Sequence, residues 1–429
     1  MTTFLRRTLP LLAPLAASFL LTACGPKPAT DTIKIGNYAA ITGKDGTFGD
    51  SSTKATRLAI DEINAAGGVL GKQIELLVED TQSKPGEAST VVKKLITRDK
   101  VVALIGEVTS SRSLEGAGVA QAFKIPMLSP SATNPAVTAT GDYIFRACFI
   151  DPFQGSVLAT FARDKLQARR AAVLTSISSA YSTGLGEVFT ARFPLGGGGE
   201  IVASPKFAEG DKDFKAQLTA IKAASPDVIF VPAYYTEVAL IAKQARELGI
   251  TAPLIGGDGW EAPELLEIAG SALEGCYYST HYSAESPDPK VQSFVKKYRD
   301  RFDGRTPDGM AALGYDAAYL LVDAIRRAGS TEPAALRAAL AATKAFDGIT
   351  GRIDMDADRN ASKPAAILTI KDGKFAYVET VSPLIAPKSG QPPCRPFRYS
   401  PFPPFVSFVV KKIRLRHPCP SVQSVVKRT

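Results

Sequence analysis

At 429 residues, 45% hydrophobic and 22% charged, the chain holds apolar material for about two or three globular cores and is neither disordered nor fibrous in composition. Its formal charge of +9 equals the nine basic residues Lys388, Arg395, Arg398, Lys411, Lys412, Arg414, Arg416, Lys427 and Arg428, which meet no acidic residue between Leu384 and Thr429. Residues 1–383 are therefore formally neutral, which excludes a basic nucleic-acid-binding face on the body, and two histidines leave little material for histidine catalysis or metal sites.

At the N-terminus Arg6 and Arg7 precede an apolar run from Leu9 to Leu21, then Leu21-Thr22-Ala23-Cys24. Charge, a short apolar stretch and small residues in that order read as a secretory signal over 1–24, too short for an ordinary spanning helix. Leu-Thr-Ala-Cys is similar to a bacterial lipobox, which makes Cys24 the lipidated first residue of the mature chain; an ordinary signal peptide ending in a chance cysteine is the alternative. Residues 25–31 read as a tether.

From Thr32, short β-rich runs alternate with amphipathic stretches. Ile33–Tyr38 predicts a strand and Thr53–Ala65 a helix closed by Gly67-Gly68. Strands at Gln73–Asp80, Val101–Ile105 and Ile125–Leu128 then alternate with helices at Pro85–Thr97 and Ser110–Gln121. After Asp151-Pro152 the rhythm restarts. Helices are expected at Pro152–Asp164, Gly184–Phe193, Phe214–Ala223, Glu237–Leu248 and Pro263–Ile268. Strands are expected at Ala171–Thr175, Glu200–Lys206, Val228–Val231, Leu254–Ile255 and Gly275–Ser279. Such alternation implies α/β lobes with parallel sheets. Helices then follow at Val291–Phe302, Gly309–Ala328 and Pro333–Thr343, and short strands at Gly351–Ile353, Ala366–Ile370 and Phe375–Thr380. This helical block predicts a return of the chain to the first lobe. The expected division is 32–151 with 281–348 as one lobe and 152–280 with 349–381 as the other. The Pro-rich, basic segment 382–429 reads as a disordered tail.

Several segments, in order and spacing from about residue 32 to 380, resemble the leucine/isoleucine/valine-binding proteins of bacterial uptake systems, members of the type I periplasmic binding protein superfamily. They are Gly36-Asn37-Tyr38 through Thr42-Gly43 and Phe48-Gly49; Ala59-Ile60-Asp61-Glu62-Ile63-Asn64-Ala65-Ala66-Gly67-Gly68; Val101–Gly106 with Thr109-Ser110-Ser111; and Pro126-Met127-Leu128-Ser129-Pro130-Ser131-Ala132-Thr133. The resemblance implies two similar doubly wound parallel-sheet lobes joined by a three-strand hinge. It also implies an extracytoplasmic binding protein that is monomeric, not an enzyme and without cofactor, to which the lipobox-like segment adds a lipid anchor at Cys24. Such a protein closes around a small amino acid, branched-chain in type, and passes it to the membrane permease of an ABC transporter.

In open α/β sheets ligands sit beyond the carboxyl ends of strands, where helices begin. Thr109-Ser110-Ser111 is at such a place, and a helix N-terminus with added hydroxyls suits a carboxylate; an ordinary N-cap is the competing role for Ser110 or Ser111. The resemblance assigns Ser110 to the ligand. It assigns Ser131 and Thr133 to the ligand's carboxylate and amino group, and Ala132 to its side chain; a Pro-bounded turn explains the same residues locally. Asp258, in Gly256-Gly257-Asp258-Gly259, matches the family's acidic counter-charge, with its glycines expected to leave it open to a cleft. Phe48, Tyr181 and Tyr234 match ligand-contacting aromatics, each expected in a loop after a strand, with Tyr235 and Trp260 as neighbours. Met310 stands where the family often has an aromatic, and Thr109 replaces one of a pair of cysteines.

Other motifs carry no chemistry. Gly196–Gly199 lacks the Lys-Ser/Thr of a phosphate loop. Asp354-Met355-Asp356-Ala357-Asp358 lacks the Gly and terminal Glu of a calcium loop. No CxxC spacing points to zinc, and Cys148 and Cys276 either pair or remain buried thiols. His281 reads as a hinge or surface residue. A ligand-sensing module of the same fold is the main alternative function. An exported hydrolase comes third, because no triad can be assembled around one body histidine.

Overall fold

The alternation of short apolar strands with amphipathic helices builds two sheets in a computed structural model that describes residues 31–195 and 197–383. The expected signal peptide, Cys24, nearly all of the tether and the basic tail beyond Pro383 lie outside the described residues. The first sheet contains β1 (Ile33–Ala39), β2 (Ile74–Asp80), β3 (Ala103–Gly106), β4 (Met127–Ser129) and β5 (Ile144–Arg146). Between them run α1 (Gly46–Ala65), α2 (Glu87–Thr97), α3 (Ser110–Phe123) and the single turn α4 (Ala136–Ala139). All its strands are parallel, in the order β2-β1-β3-β4-β5.

The chain then enters a second sheet through α5 (Asp151–Asp164). There β6 (Arg170–Val173), β7 (Thr175–Ser176), β8 (Glu200–Ala203), β9 (Lys206–Phe207), β10 (Val228–Phe230), β11 (Leu254–Gly256) and β12 (Tyr277–Thr280) alternate with α6 (Ala180–Arg192), α7 (Lys215–Ala224), α8 (Tyr235–Glu247) and α9 (Pro263–Ala269). It returns past His281 to form α10 (Pro289–Arg301), α11 (Gly309–Ala328), α12 (Pro333–Ala341), β13 (Phe346–Gly348), β14 (Gly351–Met355) and β15 (Ala361–Ser362). A third passage leads to β16 (Ala365–Lys371) and β17 (Lys374–Val381), which join the second sheet antiparallel. The second sheet reads β17-β16-β12-β11-β10-β6-β8.

Apolar burial explains the return. Ala317, Leu320, Leu321 and Ile325 of α11 share a core with Ile33, Ile35 and Ile60 of β1 and α1. That helix starts where its sequence says it should: the Asp308 side chain caps it by accepting from Ala311 N at 2.8 Å, and Gly329 ends it in the left-handed region. The boundary expected at residue 349 is corrected. Ile349, Ile353, Met355 and Ala361 pack in the first core, because the hairpin β13–β14 turns them inward, and the chain changes sheet only near Pro364. Helix α1 begins at Gly46, a full two turns before the expected Thr53. Glycine is a poor helix former, yet a Cβ on Gly49 would lie 1.8 Å from Ala40 O; the glycine lets the helix start against the end of β1.

Candidate functional site

Strand order decides where the site forms. In the first sheet the chain leaves β1 for β2 on one side and β3 on the other; in the second it leaves β6 for β8 on one side and β10 on the other. At such switch points the loops beyond the carboxyl ends diverge and open a crevice. Beyond β1 comes α1 with Phe48, beyond β3 comes α3 with Ser110, beyond β6 comes α6 with Tyr181, and beyond β10 comes Tyr234. Phe48 and Tyr181 therefore sit in first helical turns and not in the loops expected for them, whereas Tyr234 ends the loop after β10, as expected, and is the N-cap of α8.

One narrow cavity joins these elements. Ser110, Ser131 and Thr133 line it from the first sheet, Tyr181, Tyr234 and Asp258 from the second, and Phe48 and Met310 complete it, with Val108 and Gly259 added by the structure. Ala132 does not line it. Its methyl packs with Tyr38, Met127 and Ile144 in the core behind the loop, a correction to its expected contact with a ligand.

The start of α3 is open. Thr109 is the N-cap residue, but its hydroxyl turns back to Glu107 Oε2 at 2.7 Å and no side chain caps the helix. Ser110 Oγ accepts from Asn134 N at 3.3 Å, and Ser131 Oγ donates to Val108 O at 2.8 Å, so both hydroxyls tie the α3 entry to the loop after β4. On the opposite side the Tyr181 and Tyr234 rings stack at 5.1 Å, and Phe48 meets Tyr234 edge-on at 5.6 Å. The Tyr181 hydroxyl accepts from Gly259 N at 3.1 Å, which orients it beside Asp258. Tyr235 and Trp260 are structural: Tyr235 OH donates to Lys44 O and Trp260 Nε1 to Val231 O, each at 2.9 Å.

Asp258 is buried from bulk solvent and lines the cavity, as its place among the glycines suggested. It opens a 3-10 turn after β11, and Oδ1 accepts from Gln154 Nε2 at 3.0 Å while Oδ2 faces His281 Nε2 at 3.1 Å. His281 is correspondingly no surface residue. It is buried on the second passage between the sheets, stacked at 3.9 Å on Phe149 of the first passage. Burial holds its pKa below the ordinary imidazole value, so the neutral ring carries its proton on Nε2, facing the carboxylate. Gln154 Nε2 also donates to Asp151 Oδ1 at 2.8 Å; burial first, and then Asp258, push the Asp151 carboxyl up to about 7.

Neither Gln154 nor His281 was legible as a site residue. The only signal for Gln154 is Asp151-Pro152-Phe153-Gln154, an acceptor with an amide three residues on at a helix start. A further brace crosses between the sheets: Glu261 Oε1 accepts from Gly309 N at 3.0 Å and its partner oxygen from the Thr280 hydroxyl. This places the start of α11, and with it Met310. Burial and then Asp308 push Glu261 up to about 8.

Among the described residues Cys148 and Cys276 are both free and buried, and no cluster of His, Cys, Asp and Glu is placed to hold a metal ion. No described helix is long and apolar enough to cross a membrane.

With this geometry in place, the sequence matches a family described as periplasmic binding protein across residues 32–374. The chain belongs to that family. Among the relatives of this periplasmic binding protein is the leucine-, isoleucine-, valine-, threonine- and alanine-binding protein of Pseudomonas aeruginosa, 30% identical over 330 residues, 76% of this chain and 87% of that protein. A leucine-binding protein from Thermotoga maritima is 38% identical, with a TM-score of 0.78 over 82% of this chain and 99% of the other. The branched-chain amino acid transporter substrate-binding protein of Streptococcus pneumoniae, solved in complex with isoleucine, is 36% identical, with a TM-score of 0.77 over 82% and 100%.

Proposed function

We propose that this periplasmic binding protein takes a small aliphatic amino acid, of branched-chain type, into the cavity between its sheets and delivers it to the membrane permease of an ABC transporter. One observation carries the reading: an open helix start at Ser110, with the Thr133 loop beside it, lines the same cavity as a lone buried carboxylate, Asp258. The open N–H groups of α3 suit the ligand's carboxylate, Asp258 and the Tyr181 hydroxyl its ammonium, and Phe48, Val108 and Met310 its side chain. Contacts from both sheets stabilise the closed form when ligand is present, which makes binding a hinge closure. The names of the three relatives support the ligand class.

Thermal melting and calorimetry with leucine, isoleucine, valine, threonine and alanine test the reading. A ligand at 100 times its dissociation constant stabilises by about 2.7 kcal/mol. A melting temperature unmoved by all five at millimolar concentration removes it. Chemical analysis after incubation should recover the ligand unchanged. Export with a lipid on Cys24 belongs to the same reading; fatty-acid labelling should be lost in Cys24→Ala, and label retained there removes the anchor.

A further inference from the structure

Arg146, the last residue of β5, is fully buried directly behind the Ser131–Asn134 loop. Its Nη1 donates to Ala132 O at 2.5 Å, and its Nη2 to Asn134 O at 2.8 Å and to the Thr138 hydroxyl at 3.2 Å. Cys148 Sγ also reaches Ala132 O, at 3.3 Å. No carboxylate pairs with this guanidinium among the described residues; Asp151 and Asp356 act on it only through space. An arginine keeps its charge in a protein, and a buried charge without a counter-ion is costly, so its retention here calls for a use.

The backbone of the loop shows the use. Ala132 N donates to Ser129 Oγ at 3.1 Å, Thr133 O accepts from Asp151 N at 3.0 Å, and Asn134 N donates to Ser110 Oγ at 3.3 Å. Of the backbone groups of Ala132, Thr133 and Asn134, the Thr133 N–H alone has no acceptor among the described residues. The Ala132–Thr133 peptide is trans, so its N–H points opposite to its carbonyl. With the carbonyl held on Arg146, the N–H faces away from it, on the side where Thr133 lines the cavity.

We propose that Arg146 is a positioning residue that selects for a carboxylate on the ligand: it turns the Thr133 N–H into the cavity and leaves an unneutralised positive charge one peptide behind it. This rests on the amino-acid reading above. The ligand anion is the counter-ion that the protein itself does not supply, and a neutral carboxamide in the same place gains the hydrogen bond without the charge.

Wild-type protein, Arg146→Met and Arg146→Lys are titrated with leucine and with leucinamide, which keeps the side chain and ammonium but has no negative charge. Arg146→Met should weaken leucine by about 30-fold and leucinamide by less than about threefold, with Arg146→Lys in between. Equal losses for both ligands, or no loss, overturn the inference. If neither variant folds, the wild-type Thr133 amide proton decides: it should move downfield when leucine is added, and an unmoved resonance overturns the inference. A wild type that binds neither compound removes the amino-acid reading instead. A ligand-free crystal structure of Arg146→Met then judges the inference separately, upheld by a turned Ala132–Thr133 peptide and overturned by an unchanged one.

Discussion

On the first-sheet side of the cavity the polar groups are close in sequence and mostly backbone or hydroxyl: the α3 start, Ser110, Ser131 and Thr133, within two loops that follow β3 and β4. On the second-sheet side there is one carboxylate, and the groups that hold it come from far along the chain, Gln154 from α5 and His281 from the passage after β12. Many weak neutral donors can stabilise a negative charge without any of them being indispensable. A single buried anion facing a positive charge has no such redundancy, because removing it leaves its partner desolvated and alone. The two walls should therefore respond differently to mutation.

The largest effect is expected on the second-sheet wall. Asp258→Asn should cost about 2–4 kcal/mol of amino-acid binding, roughly 30- to 1,000-fold by calorimetry. A loss below about threefold would erase the contrast between the walls.

The next effect concerns the brace beneath Met310 and is read in stability. An acid whose folded pKa is raised is protonated in the folded state while already ionised in the unfolded one, so stability is highest below the ordinary carboxyl value and is lost as pH rises through the folded value. For Glu261, pushed up to about 8, the loss runs from about pH 4 to pH 8, with Asp151, at about 7, adding to it. His281 acts in reverse: its depressed pKa lets the unfolded chain take the proton first, so its contribution falls below about pH 6.5. Glu261→Gln should flatten the decline of melting temperature between about pH 5 and pH 8, an effect on the order of a few kcal/mol. An unchanged slope would place the titration elsewhere.

The smallest effect is on the first-sheet wall. Thr133→Ala removes a hydroxyl but keeps the backbone N–H, and should cost about 0.5–1.5 kcal/mol, or roughly two- to tenfold in affinity. A loss as large as that of Asp258→Asn would show that the hydroxyl, and not the amide, carries the carboxylate.

The same contrast governs what was legible beforehand. Helix α11 was read with both ends correct because its cap, its apolar stripe and its closing glycine are all local. Position after a strand leaves Ser110 open between ligand and N-cap and Ser131 and Thr133 readable as a turn; the family resemblance singles them out, and the structure brings all three to one cavity. Helix α1 was started too late because the glycines at 46 and 49 are poor helix formers locally, while Gly49 allows close approach to the end of β1 globally. The boundary expected at 349 cuts the hairpin β13–β14 and puts β14 with the wrong core, because inward alternation does not say which interior is meant. Gln154 and His281 had no pattern to betray them: they matter only through Asp258, more than a hundred residues from the one and twenty-three from the other. Ala132 was misplaced since a small apolar residue between two polar ones fits a ligand wall and a core equally well.

The two body thiols bear on how such a chain can mature. Cys148 lies beneath the Ser131–Asn134 loop, with burial pushing it up to about 12, and Cys276 is likewise raised by burial. Neither offers a thiolate to an oxidant while the protein is folded, and among the described residues neither is bridged. The fold of this body therefore draws on no disulfide among the described residues, and burial shields both thiols from oxidants while it stays folded.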